Sequence, residues 1–150
     1  MTITDRHAAV SSRIDARGPQ FTAAVTAVVL IAVLVLPTPA ATVLIGVQAV
    51  LFALGAGLGV QHTPTAWVFR TLVRPRLSPA TEFEDAGPPR FAQAVGLVFA
   101  VVAFAGFASG LSLLGLIATG FALVAALLNA LFRFCLGCEL FLLLKRATTA

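Results

Sequence analysis

Two long uncharged stretches, residues 18–69 and 91–132, run through this chain, and each is interrupted once near its middle. A membrane crossing takes about 20 apolar residues, so each stretch holds two crossings rather than one. The pattern predicts an all-α membrane protein of four transmembrane helices arranged as two hairpins, at 20–36, 41–59, 91–109 and 111–132. Pro37 and Pro39 break the first stretch, because proline inside a helix removes a hydrogen bond and clashes with the preceding turn. Ser109 and Gly110 break the second. One domain is expected over 1–150, with a tail at 1–19, a connection at 60–90 and a terminal segment at 133–150.

The charges all fall outside these helices. Arg6, Arg13 and Arg17 precede the first; Arg70, Arg74, Arg76 and Arg90 lie in the connection; Arg133, Lys145 and Arg146 follow the last. The acids Asp5, Asp15, Glu82, Glu84, Asp85 and Glu139 share those segments, and neither hairpin turn carries a charge. Loops rich in Lys and Arg stay in the cytoplasm, which predicts a multi-pass protein of the inner (plasma) membrane with both termini cytoplasmic. A cleaved signal is the rival for the first helix. Its run of about 17 apolar residues exceeds a signal core of about 7–15, so the helix is expected to remain.

Composition agrees: 59% of residues are hydrophobic and 11% charged, with mean hydropathy +1.01. Soluble domains carry about a quarter charged residues, so an ordinary soluble enzyme is excluded. Nucleic-acid binding is not expected despite a pI near 10.5, because a net charge of +4 gathered at a membrane surface already accounts for it.

The hairpins echo each other. Pro19-Gln20-Phe21 aligns with Pro89-Arg90-Phe91 at an offset of 70. Two helices return the chain to its starting side, so such units would be parallel repeats about an axis along the membrane normal. The plainer reading is that proline suits the first turn of any helix, where its missing N–H costs nothing. Both readings stay open. Gly55 with Gly59, and Gly106 with Gly110, have the spacing by which helices approach closely in lipid. Gln48 and Asn129 are the most polar groups deep in the spans and are expected to bond across helices. Trp67 reads as an interfacial anchor.

The connection has a basic half with Arg70, Arg74 and Arg76 and an acidic half with Glu82, Glu84 and Asp85, followed by Arg90. Arginines beside a span attract anionic headgroups at about 1 kcal/mol each, which accounts for them. The functional alternative is a partner-docking or anion-binding surface made by Arg70, Arg74, Arg76, Arg90 and Arg133.

The sharpest chemical feature is Cys135-Leu136-Gly137-Cys138-Glu139, which holds the chain's two cysteines. At 1.5 Å per residue, a fourth span starting at 111 has covered about 33 Å by Arg133, so the C-x-x-C motif lies at the charged interface. The apolar run continues to Leu144, about 51 Å in all, so the helix must bend near Arg133 or Gly137. A short interfacial C-terminal helix then follows. Cytoplasmic thiol pools keep such pairs reduced, and the motif is expected to act as a dithiol in redox or sulfur transfer. A thiolate attacks a disulfide or persulfide and the second cysteine resolves the product. In a continuous helix Cys135 and Glu139 share a face while Arg133 points away, so Glu139 would oppose the Cys135 thiolate or accept its proton. The bland alternative is two small apolar residues packed on a helix. His7 and His62 do not complete a four-ligand spacing with the cysteines, so neither a metal nor another cofactor is expected.

The blocks Asp15-Ala16-Arg17-Gly18-Pro19, Arg74-Pro75-Arg76-Leu77, Pro88-Pro89-Arg90-Phe91 and Phe134-Cys135-Leu136-Gly137-Cys138-Glu139 together resemble the bacterial domain-of-unknown-function family numbered 4395, common in actinobacteria. The resemblance runs from about Arg13 to Leu144. It implies a small multi-span membrane protein with no assigned activity, sometimes found beside thioredoxin-like and rhodanese-type sulfurtransferase proteins.

Three readings of function remain. In the first, Cys135, Cys138 and Glu139 form a thiol or sulfur relay serving a cytosolic thioredoxin-like or sulfurtransferase partner. In the second, the protein is a membrane scaffold or assembly subunit without chemistry. In the third, a homo-oligomer transports a small sulfur compound or anion along Gln48, Asn129 and the arginines.

Overall fold

The computed structural model describes residues 13–149, so Asp5, Arg6 and His7 lie outside it. In chain order the elements are β1 (Arg13–Asp15), α1 (Arg17–Val35), α2 (Thr38–Leu58), α3 (Pro64–Val68), β2 (Phe83–Asp85), α4 (Gly87–Ala108), α5 (Ser112–Phe132) and α6 (Leu136–Thr149). The four long helices α1, α2, α4 and α5 are each apolar enough to cross a membrane.

Three of these helices begin earlier than the sequence pattern placed them: α1 at Arg17, α2 at Thr38 and α4 at Gly87. Pro19, Pro39, Pro88 and Pro89 sit in first turns, where N–H groups have no intrahelical partner, so the helices start around the prolines rather than after them. The connection is also more ordered than a loop. A 3-10 turn at Val60–His62 leads into α3, a π-helical turn at Phe69–Val73 and a second 3-10 turn at Arg74–Arg76 before β2. Trp67 stands exposed on α3, beyond the end of α2.

The long helices form a ring in which α1 and α4 each pack against both α2 and α5. Its core joins Leu30 and Val33 of α1, Ile45 and Phe52 of α2, Ala100, Ala103 and Phe107 of α4, and Ala118 and Ala122 of α5. Gln48 of α2 is buried beside this core. Val28, Val43, Val98, Leu113 and Val124 point outward, as expected of helices solvated by acyl chains. Small residues carry the contacts because no hydrophobic drive pulls helices together in lipid. A Cβ on Gly106 would lie 2.7 Å from the Gly115 amide nitrogen. The second glycine of each predicted pair has another role: Gly59 ends α2 at φ 101° and Gly110 turns the chain at φ 85°. Both occupy backbone space that glycine alone enters without cost.

The two hairpins make matching contacts. Strands β1 and β2 pair antiparallel with Ile14 opposite Glu84, residues separated by the same offset of 70. Each copy caps the other. Gln20 of α1 donates to the Ala130 carbonyl at the end of α5 (2.8 Å), and Arg90 of α4 donates to the Ala56 and Gly57 carbonyls at the end of α2 (both 2.7 Å). These terminal carbonyls have no partner within their own helices. The segment after each hairpin then folds onto the first helix of its own copy, with Phe21 against Phe69 and Phe91 against Phe141, both at 5.7 Å. A proline preference alone explains none of this.

Candidate functional site

Helix α5 stops because Arg133 turns left-handed, with φ 55°. Its amide bonds back to the Asn129 carbonyl and the Phe134 amide to that of Leu128, the pattern that closes a helix and usually uses glycine. Side-chain bonds hold the arginine there: Nε donates to Gln20 Oε1 (3.1 Å) and Nη1 meets Glu82 Oε2 (3.5 Å). The break falls at one of the two predicted places, and α6 restarts at Leu136.

Cys135 consequently caps α6. The Glu139 amide donates to its carbonyl (3.0 Å), and the Cys138 amide donates to its Sγ (3.1 Å). The expected open dithiol is here a disulfide between Cys135 and Cys138, with Cα atoms 5.1 Å apart. The continuous-helix geometry is also replaced. Cys135 meets the amide end of a helix, whose partial positive charge favours a thiolate, and this opposes the effect of a carboxylate on the same face. Glu139 is exposed in the first turn, where an acid favours the helix itself. Both cysteines are half-buried. Gly137 lets α6 lie flush on α4, since a Cβ there would fall 2.6 Å from Ala92 Cα.

The first copy holds the counterpart of this cap. Thr63 Oγ1 accepts from the Ala66 amide (3.2 Å) at the start of α3, as Cys135 accepts from Cys138. Thr65 meets Thr22 across 3.3 Å where Gly137 meets Ala92. An offset of 72 relates Thr63 to Cys135 and Phe69 to Phe141; the sequence pattern hides it because Thr63 and Cys135 are unlike.

A chamber of about 940 Å³ opens between α1, α4, α5 and α6 beneath the β1–β2 ladder. Cys135, Cys138 and Glu139 line one end; Phe52, Gly96, Phe99, Phe121 and Ala122, halfway along their helices, line the other. Gln20, Thr26, Gln93 and Asn129 add polar groups to its wall. Gln61 is among the lining residues, and its Oε1 is enclosed by protein without a hydrogen-bond partner. Gln61 and Gln93 escaped the sequence reading because no motif marks them, and Glu84 was read only as part of the acidic half of the connection; the fold brings all three to the chamber that the cysteines line.

Three carboxyls of the ladder, Asp15, Glu84 and Asp85, border the chamber. Asp15 accepts from Arg17 Nη2 at 2.9 Å, with Arg74 at 4.0 Å, and this holds it below its ordinary value. Glu84 is pushed up by burial. The five arginines singled out in the sequence do not converge. Arg70 donates to the Gln61 carbonyl; Arg70, Arg74 and Arg133 border the chamber, whereas Arg90 is committed to α2 and Arg76 is exposed.

Fold and site together define a small membrane protein of two fused helical hairpins with a single C-x-x-C pair at its charged end. The chain belongs to the family described as a domain of unknown function (DUF4395), whose pattern it matches over residues 14–146. No curated protein and no solved structure matches it.

Proposed function

We propose that the protein is a membrane thiol–disulfide relay working through Cys135 and Cys138. The observation that carries this reading is the pairing of two sulfurs at the amide end of α6, with the Cys138 N–H directed at Cys135 Sγ. In the reduced state that amide steadies the Cys135 thiolate. The thiolate attacks a partner's disulfide, forms a mixed disulfide and releases the partner's other sulfur as a thiolate. Cys138, giving up its proton, then attacks Cys135 Sγ, which closes the pair and expels the second partner sulfur as a thiolate. Two electrons pass from this protein to the partner. A persulfide partner delivers its outer sulfur to Cys135 by the same attack. Exposed Glu139 is the nearby acceptor for the Cys138 proton.

The arginine distribution supports placing this face on the cytoplasmic side of the inner membrane, with both termini there. The partner is then a soluble thioredoxin-like or rhodanese-type protein docking beside Arg70, Arg74 and Arg76, with Arg90 and Arg133 holding the scaffold. Cys138→Ser should trap that partner as a mixed disulfide on Cys135, detectable by non-reducing electrophoresis, and Cys135→Ser should not. Equal trapping by both variants, or by neither, overturns the relay. Full complementation by a Cys135→Ala/Cys138→Ala variant would favour a scaffold instead.

A further inference from the structure

We propose that the chamber is a binding site for a lipid-soluble quinone, which exchanges electrons with the Cys135–Cys138 pair. The inference rests on the relay reading and names what meets the cysteines from the membrane side. Its volume of about 940 Å³ is ample for a ring with an apolar tail. The cysteines line one end and the side chains of Phe52, Phe99 and Phe121 the other, at mid-span depth where an apolar tail is at home. A soluble protein partner cannot occupy that depth.

The redox stoichiometry selects the class of molecule. Closing the disulfide releases two electrons and two protons from the two thiols, and a quinone takes up both pairs to become a quinol. The reverse reaction opens the disulfide. No other reactant is needed. Gln93 and Asn129, also on the wall, supply polar groups for the ring oxygens.

The test uses the full chain, purified in detergent, reduced and freed of reductant. Decylubiquinone, whose ring is fully substituted and so resists thiol addition, is added and followed by its ultraviolet band and by titration of free thiols. The expected result is one quinone reduced for each pair of thiols lost, with no reaction in Cys138→Ser. Ala126→Trp or Ala122→Leu, which fill the chamber without touching sulfur, should slow the reaction at least tenfold and abolish the quinone-induced rise in melting temperature. Both should leave the thiols reactive toward a soluble aromatic disulfide. Failure of the wild-type protein to reduce decylubiquinone, or unchanged rates in both folded filling variants, overturns the quinone site. If partner trapping through Cys135 persists under that outcome, the relay stands without the quinone; loss of trapping removes the relay itself.

Discussion

Ile14 faces Glu84 at the centre of the β1–β2 ladder, and the two residues occupy equivalent positions in the two halves of the chain. An antiparallel pair centred on equivalent residues is what a two-fold axis produces, so the ladder marks where the axis of the bundle passes. The cross-capping by Gln20 and Arg90 follows from the same symmetry. Each hairpin lends a side chain to carbonyls at the end of the other: Gln20 to Ala130, and Arg90 to Ala56 and Gly57.

That dependence is measurable. Arg90→Ala should leave two carbonyls at the end of α2 without their charged donor and cost about 1.5–3 kcal/mol, read as a lower melting temperature in detergent. Gln20→Leu should cost a similar amount, about 2–3 kcal/mol, because it removes a neutral bond to Ala130 and a charge-assisted one from Arg133. Equal stability of both variants with the parent would show that water or lipid replaces the caps.

The matching caps of α3 and α6 give a second expectation. With Cys135 and Cys138 replaced by alanine, Thr63→Cys/Ala66→Cys should close a disulfide at the start of α3, since Thr63 holds the Ala66 amide as Cys135 holds that of Cys138. Two thiols should become resistant to alkylation after oxidation and return on reduction. Persistent alkylation after oxidation would show that the copies differ in backbone as well as in side chain.

The geometry orders the two natural thiols. Once reduced, Cys135 should alkylate faster than Cys138, because its sulfur receives an amide at the helix end. Mass spectrometry of briefly iodoacetamide-treated protein checks this. Arg133→Val should erase the difference, since a β-branched residue resists the left-handed conformation by about 1–2 kcal/mol and the cap loses its placement. Arg133→Gly should preserve it, because glycine accepts that conformation.

Two of the ladder carboxyls, Asp15 and Glu84, should respond oppositely to pH. Asp15, held by Arg17 below its ordinary 3.8, adds stability that is present above that value and lost as acid passes through the lowered one. Glu84, raised above 4.5 by burial, adds stability that is complete below 4.5 and lost as pH rises through its raised value. Asp15→Asn should therefore lower the melting temperature at neutral pH. Glu84→Gln should raise it by about 1–3 °C at neutral pH, a gain that vanishes near pH 4. A Glu84→Gln gain that persists at pH 4 would assign the effect to packing rather than charge.

Much of the fold was legible because the bilayer imposes it. Runs of about 20 apolar residues, broken by Pro37 and Gly110, admit one reading in a solvent that cannot satisfy a bare backbone. The bend near Arg133 was legible too, from length alone. The cap on α6 was not, because a non-glycine residue takes the left-handed position only when long-range partners, here Gln20 and Glu82, hold it. The ladder escaped for a similar reason: three residues per strand make no pattern, and β1 and β2 find each other only after both hairpins have formed.

The sequence by itself determined the number of crossings, the gathering of charge at one end and the presence of a dithiol motif there. These are local properties, set by hydropathy and spacing. Only the tertiary structure decided that the hairpins interlock, that Cys135 caps a new helix, and that it lines a chamber bordered also by Glu84 and Gln61. The contacts that set these relations up join residues more than 30 positions apart in the chain, as Arg90 with Ala56 and Arg133 with Gln20, where packing between helices rather than any local preference places one beside the other.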